Sequence, residues 1–150
     1  MLIQEIMSRR VVSVGMDATL EHIRRIFEHT GFHHITVVDL NTREFAGIIS
    51  DRDLYQHISP FLGTMAEQER DRLTLKKKAY QIMTRKPLSA SPEDTVEEGA
   101  KLLLANNISC LPVLSPRSEV VGIVTWKDIL RALLKLDVGV RNSANSEPRP

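Results

Sequence analysis

The 150-residue chain has one cysteine, one tryptophan and a formal net charge of only +1. The lone Cys110 excludes an internal disulfide framework of the kind that stabilises small secreted domains. The near-zero charge gives no electrostatic reason to expect binding to nucleic acid. No apolar run approaches the roughly 20 residues of a membrane span, and residues 1–5 lack the basic stretch that opens a secretion signal. We therefore expect a cytoplasmic globular protein with no membrane or nucleic-acid partner.

The chain is long enough for one ordinary domain or for two small units that share a core, and it contains two copies of one unit. The octapeptide at 47–54, GIISDRDL, returns at 122–129 as GIVTWKDI, and the pentapeptide at 6–10, IMSRR, returns at 82–86 as IMTRK. The offset is 76 residues at the pentapeptide and 75 at the octapeptide. Each copy places a hydroxyl and a carboxylate at the same distance after a glycine, which predicts two related pockets.

The first copy predicts the order strand, helix, strand, strand, helix. A β-branched strand at 11–14 precedes a helix that Asp17 or Thr19 can cap. The helix should end at Gly31, where a left-handed backbone is favoured. A hairpin follows, and Ser50 caps the second helix. The apolar residues that define the first helix and the two hairpin strands are Leu20, Ile23, Ile26, Phe27, Ile35–Val38 and Phe45–Ile49.

The second copy repeats this order. Thr95 opens its first helix, Asn107 replaces the glycine that ends that helix, and residues 126–136 form its closing helix. Between the copies, Thr64–Glu67 has capping-box spacing ahead of a charged helix at 68–79. We therefore predict a first repeat at 1–58, a connecting loop and helix at 59–79, a second repeat at 80–138 and a disordered tail at 139–150.

This order resembles the CBS domain, a family named for cystathionine β-synthase whose members work in tandem pairs called Bateman modules. The resemblance is carried by Ile-Met-Ser/Thr at the start of each copy and by Gly-hydrophobic-hydrophobic-Ser/Thr-x-x-Asp at its end, and it covers residues 3–137. It implies an α+β fold in which two β-α-β-β-α repeats pack sheet to sheet with pseudo-two-fold symmetry, joined by a helical linker. Within the family, the chain looks most like standalone bacterial CBS pairs of the acetoin-utilisation type.

The resemblance implies that an adenosine-containing ligand binds in the clefts between the repeats: AMP, ADP or ATP, with S-adenosylmethionine or NAD as further candidates. In the family, the motif aspartate holds the ribose hydroxyls and the Ser/Thr contacts phosphate. Carried over, the first site comprises Ile48, Ser50, Arg52 and Asp53, facing Thr84, Leu88, Ile108 and Ser109. The second site comprises Ile123, Thr125, Lys127 and Asp128, facing Ser8, Val12, Phe32 and His33.

The residue types suit that role. A carboxylate such as Asp53 can accept hydrogen bonds from both vicinal ribose hydroxyls, and charge-assisted bonds of this kind contribute roughly 1.5–3 kcal/mol. Ser50 lies at a predicted helix N-terminus, where free N–H groups favour an anion, and Arg52 is near enough to reach phosphate oxygens. Ile48 and Ile108 offer adenine an apolar slot. The same reasoning applies to the second motif.

Structural interpretations stay open for several of these residues. Ser-x-x-Asp is also an ordinary capping pattern, and capping is compatible with binding. His29, His33 and His34 cluster as in some metal sites, but no cysteine or carboxylate stands at a convincing ligand spacing, so no metal is predicted. Trp126, which replaces Asp51 in the second motif, could stack on a ligand or crowd the cleft.

The sequence points to ligand binding rather than catalysis. It has no nucleophile with a base partner, no Gly-rich phosphate loop and no metal motif, and Asp53 and Asp128 belong to separate predicted clefts. By resemblance we expect a regulatory module that senses adenine nucleotides, forms a homodimer through its helices and acts on an unknown regulated protein. The alternative is a ligand-free structural or protein-interaction module. Cys110 is interpreted as a small core residue and Lys76–Lys78 as an exposed helix face.

Overall fold

The computed structural model describes residues 1–134, so the predicted tail at 139–150 and the last part of the second repeat, 135–138, lie outside the described residues. The helices are α1 (Ile3–Ile6), α2 (Leu20–Thr30), α3 (Asp51–His57), α4 (Glu69–Leu73), α5 (Ala79–Ile82), α6 (Val96–Asn106) and α7 (Trp126–Leu133). The strands are β1 (Ser13–Gly15), β2 (His34–Val38), β3 (Phe45–Ser50), β4 (Thr84–Arg85), β5 (Cys110–Leu114) and β6 (Val120–Thr125). The predicted α+β class with two related copies is confirmed.

The helix ends follow the local sequence signals. Thr19, rather than Asp17, caps α2, and Thr95 caps α6; each hydroxyl oxygen accepts a hydrogen bond from the backbone N–H three residues later. At the other end, α2 stops at Gly31 with φ 67° and α6 stops at Asn107 with φ 51°. Both values lie in the left-handed region, which glycine and asparagine tolerate best. Matching caps therefore give the two copies helices of equal length.

Each copy builds the same sheet plan. In the first sheet the order is β1-β2-β3-β4, with β1 parallel to β2 and the other pairs antiparallel. In the second sheet, β5 and β6 form the hairpin. Single bridges between Ala90 and Val113 and between Ser8 and Ile123 stand where the first sheet has its outer strands. The strand predicted at 11–14 begins two residues later than expected, at Ser13.

The opening segment of each copy is exchanged with the other copy. Strand β4, which opens the second copy, pairs with Gly47 and Ile48 of the first copy. Reciprocally, the backbone of Ser8 exchanges two hydrogen bonds of 2.9 Å with Ile123 of the second copy. Because each hairpin takes an outer strand or bridge from the other copy, the two copies are tied together by backbone pairing as well as by side-chain packing.

The hydrophobic cores are exchanged in the same way. Ala79 and Ile82 of α5 pack into the first core, against the hairpin β2–β3 and helix α2. Ile3 of α1 is fully buried in the second core, against the hairpin β5–β6 and helix α6. Each core therefore contains a helix from the opposite copy, and neither copy can complete its core alone.

The exchange also explains the glycine of the repeated motif. A Cβ atom on Gly47 would lie 2.7 Å from the carbonyl oxygen of Thr84, and one on Gly122 would lie 3.0 Å from the carbonyl oxygen of Ser8. Neither glycine has a positive φ. Glycine is required here because the exchanged backbone passes close to the strand, which leaves no space for a side chain.

The connecting segment differs from its prediction. Residues 68–79 do not form one helix but divide into α4, a 3-10 turn at Thr74–Lys76 and the start of α5, and Thr64–Glu67 is a turn rather than a helix cap. The cause is Asp71, which is only 5% exposed and accepts hydrogen bonds from the backbone N–H of Gln68 at 2.7 Å and the hydroxyl of Ser59 at 2.8 Å. This network folds the segment back onto the end of α3.

Substituting Ile3→Ala should lower the free energy of unfolding by about 2–5 kcal/mol, because it opens a cavity in a fully buried position. Amide hydrogen exchange should quicken in β5 and β6 more than in β2 and β3, since Ile3 belongs to the second core. The control is Gln4→Ala on the exposed side of the same helix, with little expected change. Faster exchange confined to β2 and β3 would contradict the exchanged packing.

Substituting Asp71→Asn should destabilise the protein in a pH-dependent way. The backbone hydrogen bond from Gln68, and then that from the Ser59 hydroxyl, lower the pKa of the Asp71 carboxyl in the folded protein. A lowered pKa contributes stability above the unfolded value, and that stability is lost as the pH falls through the folded pKa. In urea titrations the difference between wild type and variant should thus be full near pH 7 and shrink as the pH falls below about 4. A difference that stays constant over this range contradicts the network.

Candidate functional site

A cleft with a volume of ≈ 970 Å³ lies between the two copies, where β3 leads into α3 and β6 leads into α7. All eight residues of the first predicted site line it: Ile48, Ser50, Arg52, Asp53, Thr84, Leu88, Ile108 and Ser109. Half of this set comes from each copy, and Thr84 reaches the cleft because β4 is exchanged. The structure thus brings the predicted first set together in one concave surface.

The first motif forms a reciprocal cap at the start of α3. The backbone N–H of Ser50 donates to Oδ2 of Asp53 at 2.8 Å, and the N–H of Asp53 donates to Oγ of Ser50 at 3.0 Å. The capping interpretation of this motif is therefore correct. Among residues 1–134, Oδ1 of Asp53 accepts no hydrogen bond and the Ser50 hydroxyl donates none, which leaves both atoms available to a ligand.

The second motif forms the same cap but uses more of its polar atoms. The N–H of Thr125 donates to Oδ2 of Asp128 at 2.8 Å, and the Thr125 hydroxyl donates to the same oxygen at 3.0 Å. The other carboxylate oxygen, Oδ1, accepts a bond from Nη1 of Arg131 at 3.3 Å. In contrast to Asp53, both oxygens of Asp128 are engaged within the chain.

The residues of the second predicted site do not assemble as expected. His33, Thr125 and Lys127 line the 970 Å³ cleft, so they lie with the first set and not across from it. His33 lines this cleft because the antiparallel register of the first hairpin pairs His34 with Ser50 and sets His33 beside the start of α3. His33 therefore lines the same cleft as Thr125 and Lys127, whereas Asp128, with which it was also grouped, does not line that cleft.

The remaining members of the second set are divided. Val12 and Phe32 line a separate pocket of ≈ 560 Å³, together with Arg9, Arg10, Val11, His29 and Thr30. Ser8 and Ile123 are joined by the backbone pairing that links the copies. Asp128 lines neither of these two cavities.

A side-chain hydrogen bond that the sequence did not predict stands at the rim of the large cleft. Nδ1 of His33 lies 2.8 Å from Oδ2 of Asp51, and the N–H of Arg52 donates to the other oxygen of that carboxyl. Burial opposes ionisation of Asp51, but the bonds from His33 and Arg52 outweigh it and lower the pKa of the carboxyl. Burial lowers the pKa of the neighbouring His34. At neutral pH the rim therefore carries the carboxylate of Asp51 and the neutral imidazole of His34.

Trp126 supplies an aromatic surface to the cleft. Its side chain is 49% exposed, and Nζ of Lys127 lies 5.8 Å from the centre of its ring, within the range of a cation–π contact. The N–H of Trp126 donates to the carbonyl of Ser109, as the N–H of Asp51 does to that of His33. The ring thus occupies the position that Asp51 holds in the other copy.

Further cleft residues escaped the sequence analysis, because only the hairpin register and the packing of α6 bring them to the wall: His34, Asp51, Pro87, Leu103, Leu104, Asn107, Cys110 and Pro112. Burial raises the pKa of the Cys110 thiol to about 12, so it is neutral and unreactive at physiological pH, as a core cysteine should be. In the described part of the chain, no three His, Cys, Asp or Glu side chains gather in a way that could hold a metal ion.

Neither the basic run in the linker nor any helix among residues 1–134 indicates a further site. Lys77, from the basic run in the linker, donates its ammonium to the carbonyl of His57 at 3.1 Å and thereby joins the linker to α3. Among residues 1–134, no helix combines the length and the apolar character needed to cross a membrane.

Comparison with known proteins agrees with this architecture. A family model described as the CBS domain matches residues 3–60 and 79–135. A CBS domain-containing protein of Dictyostelium discoideum is 34% identical over 136 residues, covering 90% of this chain and 92% of that protein.

Two solved structures share the fold over their whole length. The CBS domain pair of protein MJ0100, in complex with 5′-methylthioadenosine and S-adenosyl-L-methionine, is 25% identical with a TM-score of 0.73, covering 91% of this chain and 98% of that chain. AcuB of Vibrio cholerae, a protein assigned to acetoin utilization, is 25% identical with a TM-score of 0.72, covering 99% and 98% of the two chains. This chain therefore belongs to the CBS domain family, and its two copies form a CBS pair.

Proposed function

We propose that this chain is a regulatory module that binds an adenosine-containing nucleotide in the cleft between its two repeats, with no catalysis of its own. The observation that carries the proposal is the convergence of Ser50 and Asp53 with Thr84, Leu88 and Ile108, from the opposite repeat, on one cleft. AMP, ADP and ATP are the preferred ligands, and S-adenosylmethionine and NAD are further candidates.

The available atoms match the parts of such a ligand. Oδ1 of Asp53 can accept the ribose hydroxyls, and the Ser50 hydroxyl can donate to a phosphate oxygen. Arg52 and Lys127 place two cations on the wall of the same cleft, suited to a phosphate chain. The apolar side chains available to adenine are Ile48, Leu88 and Ile108. The 5′-methylthioadenosine and S-adenosyl-L-methionine of the MJ0100 structure also contain adenosine, which supports the same ligand class.

Regulation would follow from the position of the cleft. A ligand that touches both repeats favours whichever arrangement of the two repeats fits it best, and such differential affinity is what a conformational switch requires. The homodimer is proposed with its contact on exposed apolar side chains of α3 and α7: Tyr55, Leu130 and Leu133. The regulated protein would read the change from this surface in a cytoplasmic setting.

The competing proposal is a CBS pair whose pockets stay empty and whose helices serve only as an interaction surface. It is favoured by one observation, which is that the polar residues of the second motif are satisfied within the chain. It predicts no effect of any nucleotide on stability or fluorescence.

The test is thermal unfolding with AMP, ADP, ATP, S-adenosylmethionine and NAD, together with the fluorescence of Trp126, the chain's single tryptophan. A ligand at 100 times its Kd should add about 2.7 kcal/mol, or several degrees in Tm. Because Trp126 lines the cleft, its emission should change over the same ligand concentrations. Substituting Asp53→Asn should abolish most of both responses.

Asp71→Asn is the matched control, since Asp71 has the same capping geometry as Asp53 but does not line the cleft. It should lower Tm without changing the ligand-induced shift. No shift with any of the five ligands at millimolar concentration would contradict the proposal and favour the empty interaction module.

A further inference from the structure

We propose that the residue three positions after the motif aspartate favours ribose binding at Asp53 over Asp128, so that the two repeats are unequal. In the second repeat this residue is Arg131, whose guanidinium bonds to Asp128. The first repeat has Gln56 at the equivalent position. The inference rests on the proposed function, since it concerns where the adenosine-containing ligand binds.

The first part of the argument is the state of the acceptor oxygens. Oδ2 of each aspartate caps its own helix, so only Oδ1 is left for a ribose hydroxyl. In the second repeat, Nη1 of Arg131 lies 3.3 Å from that Oδ1. Among residues 1–134, no side chain donates to Oδ1 of Asp53, and the Gln56 side chain is exposed. A ribose must therefore displace a guanidinium in one repeat and nothing but solvent in the other.

The second part concerns the hydroxyl protons. The Thr125 hydroxyl donates to Oδ2 of Asp128 at 3.0 Å, so its proton is engaged. The Ser50 hydroxyl accepts from the N–H of Asp53 and donates to no described residue. The second motif therefore has a bond on each carboxylate oxygen and no free hydroxyl proton, whereas the first has an unbonded Oδ1 and a free hydroxyl proton.

The third part is the environment of each motif. Asp53 lines the ≈ 970 Å³ cleft between the repeats. The second pocket, which holds the apolar residues Val12 and Phe32, is lined by the cations Arg9 and Arg10 and by no carboxylate. An adenosine seated there would find no carboxylate among the lining residues to accept its ribose hydroxyls. All three observations predict one ribose-binding site in each chain.

The expected size of the effect is modest. The Arg131 side chain is 45% exposed, and an exposed ion pair of this kind changes an equilibrium by about twofold to fivefold. The hydroxyl contact itself is a charge-assisted hydrogen bond, which should change affinity by roughly tenfold or more. The two effects can be separated if the ribose contact is measured directly.

The experiment measures the Kd of AMP and of 2′-deoxy-AMP by Trp126 fluorescence and by calorimetry. The two ligands carry the same phosphate, so the ratio of their Kd values reports the ribose contact. Any effect that an added arginine has on phosphate binding is the same for both ligands and cancels in this ratio. Three proteins are compared: wild type, Q56R and D53N. Thermal unfolding of each confirms that it folds.

Wild type should bind one AMP per chain, and its Kd for 2′-deoxy-AMP should be roughly tenfold or more above its Kd for AMP. Q56R should lower that ratio about twofold to fivefold, because it copies the Arg131 contact onto Asp53. D53N should bring the ratio close to one, because Asp128 lines neither cavity and cannot replace the lost contact.

Three results would overturn the inference while leaving the proposed function intact. These are two equal AMP sites in wild type, an unchanged ratio in Q56R, or an unchanged ratio in D53N. Absence of AMP binding by wild type at millimolar concentration overturns the proposed function and, with it, this inference.

Discussion

The structure depends on a short stretch of backbone pairing, in which the segment that opens each repeat crosses to the sheet of the other. Strand β4 has two residues, and its counterpart at Ser8 is a single bridge, yet these contacts join the two sheets and carry α5 and α1 into the opposite cores. The motif glycines follow from this contact, since a Cβ atom on Gly47 would lie 2.7 Å from the carbonyl of Thr84. The repeated glycine is thus a consequence of how the copies are joined.

The candidate site follows from the same exchange. Thr84 reaches the cleft only because its strand pairs with β3, and Leu88 follows it along the chain. The polar end of the cleft is formed where β3 meets α3, through the reciprocal cap of Ser50 and Asp53. One set of residues therefore ends a strand, begins a helix and lines a cleft. This explains how a capping pattern and a ligand-binding pattern can coincide in one short motif.

Local features were predictable from the sequence and long-range ones were not. Thr19, Thr95 and Asn107 act at helix ends as their residue types indicate, because capping is decided within a few residues. The residues of the first site were also predicted, but through family resemblance and not through spacing. The two-residue length of β4 carries no detectable strand signal, and the break in the linker depends on the burial of Asp71. The contact of His33 with Asp51 could not be predicted, because hairpin register fixes its neighbours.

The most direct test of the account is a crystal structure of the protein grown with AMP. The account predicts a nucleotide in the cleft between the repeats, with a ribose hydroxyl within hydrogen-bond distance of Oδ1 of Asp53 and the adenine against Leu88 and Ile108. It also predicts that strand β4 remains paired with β3. A nucleotide bound away from Asp53, or a cleft that stays empty at saturating AMP, would contradict it.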